Sequence, residues 1–206
     1  MVGQTPVAWG YDIQVSGSMA YVAAGTSGLQ IVNVGNPSNP QVVKTVNTPG
    51  SAVAVDVAGN MAYVADSNSL QVINVGVPTS AYIVGSLATS ASKVAEASGR
   101  VYALSGLDLK IISVSNPAAP VLLKITGNYS AQAVDAFGQQ VFLAKPVIDH
   151  MESSEGVFIL DVSNPTQPIL QQEIVLPGAS RSIRTDGVHV YAGDDAATLS
   201  VIDIGN

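Results

Sequence analysis

Apolar residues occur along the chain in short runs that are separated by polar turns. In one unit the apolar runs read AVAVDV, MAYVAD, LQVINV and AYIVGS, and the segments AGN, SNS and GVPTS separate them. Val, Ile, Leu and Tyr favour strands, whereas Gly, Asn, Ser and Pro favour turns. No segment keeps an apolar face at helical spacing, so the pattern predicts an all-β protein built from four-stranded antiparallel units.

The units repeat with a period of about 40 residues, which is typical of a propeller blade. One aromatic residue marks the second strand of each unit, namely Tyr21, Tyr63, Tyr102, Phe142 and Tyr191. Proline residues follow the third strands in NPSNP, NPAAP and NPTQP, where they exclude a continuous helix. Apolar runs such as VFILDV are nearly continuous, which indicates that both faces of each sheet are buried. We therefore predict a five-bladed β-propeller with strands a to d from inside to outside.

The repeat predicts a single propeller domain over residues 1–206, with units at about 10–50, 51–90, 91–130, 131–178 and 179–206. The fifth unit stops after its third strand, so the fifth blade is predicted to be incomplete. Residues 1–9 are candidates for the missing outer strand, either in the same chain or in a neighbouring chain. An exposed strand edge is a template for such pairing. A fifth blade of three strands and a fragment of a longer protein are the alternatives.

A short polar residue stands near the end of each third strand, at Asn33, Asn74, Ser113, Asp161 and Asp203. These side chains can accept hydrogen bonds from backbone N–H groups of the following turn. Together with the Asn-Pro turn, above all in VFILDVSNPTQP and LSVIDIGN, the pattern resembles the LVIVD repeat family of bacterial and archaeal propellers. Asp161 and Asp203 keep the family's aspartate, whereas Asn33, Asn74 and Ser113 depart from it. The resemblance implies a commonly extracytoplasmic propeller without a general catalytic activity, and it carries over no catalytic residues.

Composition narrows the function classes. Hydrophobic residues make up 47% and charged residues 11% of the 206 residues, which is typical of a folded protein. The formal charge of -7 argues against a nucleic acid or an anionic membrane as partner, and no apolar run is long enough to span a membrane. The chain has no cysteine, which excludes disulfides. Its low lysine content and its many small polar residues favour an extracellular or cell-surface location. A cytoplasmic location is the alternative, because the first residues do not read as a signal peptide.

One position of the predicted inner strand is polar in every unit, three residues before the glycine of the following turn. The residues are Gln14, Asp56, Glu96, Asp135 and Arg184. Equivalent residues of a propeller surround its axis, so we expect these side chains to converge at the central channel. The three carboxylates would repel one another or recruit a cation such as calcium, with Arg184 offsetting part of the repulsion. Alternatively, they accept hydrogen bonds from backbone groups where the blades meet.

The segment KPVIDHMESSEG, residues 145–156, lengthens the turn between the second and third strands of the fourth unit. Long turns on a rigid scaffold often carry binding residues. The side chains of Asp149, His150, Glu152 and Glu155 are metal-ligand types, but their spacing matches no compact metal motif. A solvated acidic loop or a contact surface is the alternative.

No catalytic constellation is recognisable in the sequence. A Gly-x-Ser-x-Gly elbow and a glycine-rich phosphate loop are both missing, and the two histidines lie in different units. A glycosidase that uses Asp56, Glu96 and Asp135 is the enzymatic alternative. The sequence therefore predicts a non-enzymatic structural or interaction module without a cofactor, which self-assembles or binds a protein partner. A receptor that binds a ligand or cation through the loop or the acidic channel is the second alternative.

Overall fold

The computed structural model describes residues 2–127, 129–145 and 155–205. Within these ranges the chain forms 19 β-strands and one short 3-10 turn, so the protein is all-β. The strands form five antiparallel sheets, of which four contain four strands and one contains three. The predicted fold class, a five-bladed β-propeller with an incomplete fifth blade, is confirmed.

The chain divides into two compact units, of which the first comprises Met1–Val94 and Val114–Val121 and contains blades one and two. The strands of blade one are β1 Asp12–Ser16, β2 Met19–Ala23, β3 Leu29–Asn33 and β4 Gln41–Val46. The strands of blade two are β5 Ala52–Ala58, β6 Met61–Asp66, β7 Ser69–Asn74 and β8 Tyr82–Ala88. The 3-10 turn Pro78–Ser80 lies between β7 and β8.

The second unit comprises Ala95–Ser113 and Leu122–Asn206, and it contains most of blade three and all of blade four and blade five. The strands of blade three are β9 Lys93–Ala97, β10 Arg100–Ser105, β11 Asp108–Ser113 and β12 Val121–Thr126. Those of blade four are β13 Ala133–Phe137, β14 Gln140–Lys145, β15 Gly156–Asp161 and β16 Ile169–Val175. Those of blade five are β17 Ser180–Thr185, β18 His189–Asp194 and β19 Leu199–Asp203.

Short polar side chains fix the turn that follows the third strand of a blade. Asn33 Oδ1 accepts a hydrogen bond from Gly35 N at 2.9 Å, and Asp161 Oδ1 accepts one from Ser163 N at 2.7 Å. Asn74 and Asp203 make the same bond with the residue two positions on. The hydrogen bonds from Ser163, first of all that from its backbone N–H, hold the pKa of Asp161 below its ordinary value. The predicted capping role of these four residues is confirmed.

Within each unit the core lies between successive blades. In such an interface the earlier blade contributes its forward face and the later blade its rear face, and we use these names for the equivalent faces of every blade. The forward face of blade one and the rear face of blade two meet in one buried cluster that contains Tyr21, Leu29, Ile31, Val55, Val64 and Ile73. Phe142, Val157, Ile159, Ile183, Ala192 and Ile202 occupy the equivalent positions between blades four and five. Because both faces are buried, the third strands read as the continuous apolar runs seen in the sequence.

Residues 2–9 form no strand and lie against blade one. Ala8 N donates a hydrogen bond to Gln30 Oε1 at 2.8 Å, and Ala8 packs against the cluster formed by Ala20, Val22, Ala24 and Val32. Pro6 has no N–H group to donate to a strand ladder, which is one reason why this segment is irregular. The segment therefore covers part of the rear face of blade one.

Candidate functional site

Four of the predicted channel residues occupy the same register position on the inner strands. In β1, β5, β13 and β17, the residue lies opposite the aromatic residue of the second strand. The pairs are Gln14 with Tyr21, Asp56 with Tyr63, Asp135 with Phe142 and Arg184 with Tyr191. The glycine spacing in the sequence therefore identified equivalent positions in these four blades.

Glu96 departs from this register. The turn between β9 and β10 is Ser98-Gly99, whereas the turn between β13 and β14 is Gly138-Gln139, so the glycine occupies the second turn position in blade three. Glu96 therefore stands one residue closer to its turn than Asp135 does, and the predicted equivalence of these two residues is wrong by one position. Glu96 Oε1 accepts a hydrogen bond from Gly99 N at 2.7 Å, which closes the turn.

Two aspartates of inner strands bind the backbone of the next blade. Asp135 Oδ1 accepts a hydrogen bond from Ala136 N at 2.9 Å, and Asp135 Oδ2 accepts one from Thr185 N of blade five at 2.8 Å. Asp12 does the same in blade one, where its two oxygens accept bonds from Ile13 N at 2.9 Å and Val55 N at 3.0 Å. We call each of these arrangements an aspartate latch. A latch satisfies a backbone donor where two blades meet.

Asp12 was not predicted from the sequence, because only the position three residues before each turn glycine was compared. The available signal was a second polar residue in the predicted inner strand, two residues before Gln14. Side chains two residues apart on a strand point to the same face. A search for every polar residue on that face would have found it.

Replacing Asp135 by alanine is expected to lower the free energy of unfolding by about 1–3 kcal/mol, because two backbone N–H groups lose their acceptor. Asparagine keeps one acceptor oxygen, so Asp135→Asn is expected to lose less stability. Urea unfolding of the intact chain and of both variants gives the three free energies of unfolding, which should decrease from the intact chain to Asp135→Asn to Asp135→Ala. Equal stability of all three would contradict the latch. The same unfolding experiment in millimolar calcium tests the cation alternative. If a cation binds at Asp135, calcium should stabilise the intact chain and should not stabilise Asp135→Ala.

Metal ligation was predicted at two places. Among the described residues, no group of three or more His, Asp or Glu side chains is arranged to hold a metal ion. Asp149, His150 and Glu152 of the predicted binding loop lie outside the described residues, and Glu155 directly precedes β15. The carbonyl oxygen of Glu155 accepts a hydrogen bond from Leu176 N at 2.9 Å. Calcium binding at the channel and metal binding at the loop stay predictions.

Asp186 has the most strongly shifted carboxyl pKa among the groups of the described chain. His189 N and Val188 N donate hydrogen bonds to its Oδ1 at 2.7 and 2.9 Å, and Tyr191 Oη donates to its Oδ2 at 2.8 Å. These bonds, first of all that from His189 N, hold the pKa of Asp186 well below its ordinary value. The carboxylate therefore closes the turn between β17 and β18. A residue that keeps its charge in this way is poorly suited to donate or accept a proton near neutral pH.

The third strand of blade five forms an open edge. β19 pairs with β18 on one side, and no further strand of the described chain follows it in this sheet. Its side chains alternate, so Leu199 and Val201 lie on the exposed face while Ile202 contacts the cluster between blades four and five. This strand presents both unpaired backbone groups and apolar side chains. It is the candidate interaction site of the protein.

Solved structures share the fold at low sequence identity. BamB from Moraxella catarrhalis superposes with a TM-score of 0.70 at 12% identity over 97% of this chain and 62% of that chain. The computationally designed Ika8 protein has a TM-score of 0.62 at 13% identity over 93% of this chain and 57% of its own. The N-terminal domain of Nup159 has a TM-score of 0.57 at 14% identity over 98% of this chain and 60% of that one. The chain thus spans about three fifths of the length of these structures.

Sequence comparison gives the family. No curated protein matches the chain. The LVIVD repeat, however, matches it in five stretches, at residues 10–48, 49–89, 102–129, 153–174 and 177–206. These matches cover most of the chain and agree with the five blades. The chain therefore belongs to the LVIVD repeat family, a family of β-propeller repeats.

Proposed function

We propose that this protein is a non-enzymatic interaction module of the cell surface or extracellular space, which binds copies of itself through blade five. A β-propeller with LVIVD repeats is consistent with an interaction module, and propellers commonly mediate protein interactions. The observation that carries the proposal is the open edge of β19, since an unpaired strand edge can add a strand from another chain. In this proposal the added strand is the N-terminal segment of a second copy, which pairs with β19.

The location is proposed from composition and family resemblance. The chain has no cysteine, little lysine and many small polar residues, and LVIVD propellers are commonly extracytoplasmic. Across the described ranges, no helix has the length and apolar character that crossing a membrane requires. A role without catalysis fits a chain whose most strongly shifted carboxyl group, Asp186, closes a turn.

Light scattering of the purified chain over a concentration series tests the proposal. We expect the mass to rise with concentration, and we expect a variant that lacks residues 1–9 to remain smaller at every concentration. The matched control replaces residues 146–155 by Asn-Gly, which leaves a two-residue hairpin turn between the paired residues Lys145 and Gly156, and it should assemble like the intact chain. A mass of one chain at all concentrations would contradict self-association. Equal masses of the intact chain and the variant without residues 1–9 would contradict the role of the N-terminal segment.

A further inference from the structure

The forward face of blade five is half of a blade interface without its other half. Leu199 and Val201 lie opposite Gly193 and Tyr191, just as Leu29 and Ile31 lie opposite Ala23 and Tyr21 in blade one. Leu29 and Ile31 are fully buried against blade two. Leu199, in contrast, is 69% exposed and Val201 is 56% exposed. Blade five thus repeats the forward face of blade one, and this face is exposed to solvent.

The rear face of blade one is the matching half. Ile13 pairs with Val22 as Val55 pairs with Val64 in blade two, so Ile13 and Val55 are equivalent. Val55 is buried against blade one, whereas Ile13 is 55% exposed and Val15 has a similar exposure. Every interface described between two blades joins a forward face to a rear face. The forward face of blade five and the part of the rear face of blade one that the N-terminal segment leaves exposed, around Ile13 and Val15, have the composition and the strand register of such an interface.

The N-terminal segment indicates how this rear face is used. In blade two the outer strand β8 carries Gly85, whose backbone lies so close to the turn of blade three that an added Cβ would overlap Pro117 O. The backbone of Gly3 comes equally close to the turn that follows the third strand of blade one, where an added Cβ would overlap Pro37 O. Residues around Gly3 therefore occupy the place of the outer strand of a preceding blade. Among the described strands, an outer strand is what blade five lacks.

We infer that blade five of one copy docks behind blade one of a second copy and continues the blade stack from chain to chain. Leu199 and Val201 of the first copy pack on Ile13 and Val15 of the second, and β19 lies beside the N-terminal segment of the second copy. The occupant of the exposed face is thus another copy of this chain, whose rear face is built to receive it. The contact joins two different surfaces, so it produces a ring or a filament. The inference rests on the proposed function and names the surfaces by which the copies bind.

A pair of substitutions tests this head-to-tail contact. Val201→Asp places a carboxylate on the forward face of blade five, and Ile13→Asp places one on the rear face of blade one. An unpaired carboxylate in an apolar interface is strongly unfavourable, so each variant alone is expected to associate at least about a hundredfold more weakly than the intact chain. The matched control is Val121→Asp on β12, where the valine is 54% exposed. This control is expected to assemble like the intact chain.

Mixing the two variants gives the decisive result. The Ile13→Asp copy keeps an intact blade five and the Val201→Asp copy keeps an intact blade one, so an equimolar mixture is expected to form dimers and nothing larger. Light scattering measures the mass of each variant and of the mixture. If the intact chain assembles and both variants assemble equally well, the inference is overturned while self-association, and with it the proposed function, stands.

Three other outcomes also overturn the inference. If the intact chain is a monomer and both variants unfold at a lower temperature than Val121→Asp, the two faces meet within one chain. If the intact chain is a monomer and the variants are as stable as the control, self-association itself is disproved. Separate variants that are monomeric and remain so on mixing would show that the two faces do not bind each other.

Discussion

Replacing Phe142 by alanine is expected to lower the free energy of unfolding by about 3–5 kcal/mol, which is a large part of the stability of a typical domain. Phe142 is fully buried on β14, where its ring packs between blades four and five with Val157, Ile159 and Ile183. Its removal leaves a cavity in the interface, because close-packed strands relax only partly. The midpoint and slope of urea unfolding measure the loss.

The neighbouring strand provides the control. Phe137 ends β13 and is exposed, so Phe137→Ala removes the same atoms from a site that buries less of them. We expect this variant to lose less than half as much stability as Phe142→Ala. Equal losses from the two substitutions would show that the interface between blades four and five contributes little to the stability of the chain.

Replacing Gly156 by alanine is expected to destabilise the protein by about 2–5 kcal/mol, through backbone strain and steric overlap together. Gly156 begins β15 with a φ of 145°, a conformation that other residues rarely adopt. A Cβ at this position would also overlap the carbonyl oxygen of Ile174 on β16. Both causes act on the same residue, so β15 and β16 would have to move apart. The loss is measured by urea unfolding.

Gly138→Ala separates the two causes. Gly138 also has a positive φ, of 59°, but an added Cβ would meet no atom within 4 Å. Its substitution is expected to cost only about 1–2 kcal/mol, the usual penalty of a left-handed residue. A Gly156→Ala variant no less stable than Gly138→Ala would show that β16 yields to the added atom, contrary to the expectation.

Much of the fold could be predicted because it repeats. The aromatic residues Tyr21 and Phe142 mark equivalent second strands, and the Asn-Pro turns mark where the third strands of blades one, three and four end. These signals are local, and local backbone preferences produce them. They predicted the all-β class, the five blades and an incomplete fifth blade, with three strands as one of the alternatives, without any knowledge of long-range contacts.

The candidate site could be predicted only in part. Spacing identified Asp135, but its bond to Thr185 joins two blades and has no local signal. Glu96 was misplaced because either position of a two-residue turn accepts a positive φ, and in blade three Ser98 adopts it as well as Gly99. The exposure of Leu199 had no local signal, since its strand LSVID resembles the strand LQIVN, in which Leu29 is buried. Exposure depends on what packs against a strand.

The similarity of the interfaces between blades has a consequence for the evolution of such chains. Equivalent strand positions form the interface between blades one and two and that between blades four and five, so duplication of one repeat would insert a blade whose faces match its neighbours in strand register. Loss of one repeat would likewise bring together two faces of matching register. In an array where each repeat contacts only its neighbours, the gain or loss of one repeat changes the free energy of unfolding by roughly the intrinsic stability of that repeat and of one interface. The number of blades can therefore vary in evolution while every contact surface stays under the same selection.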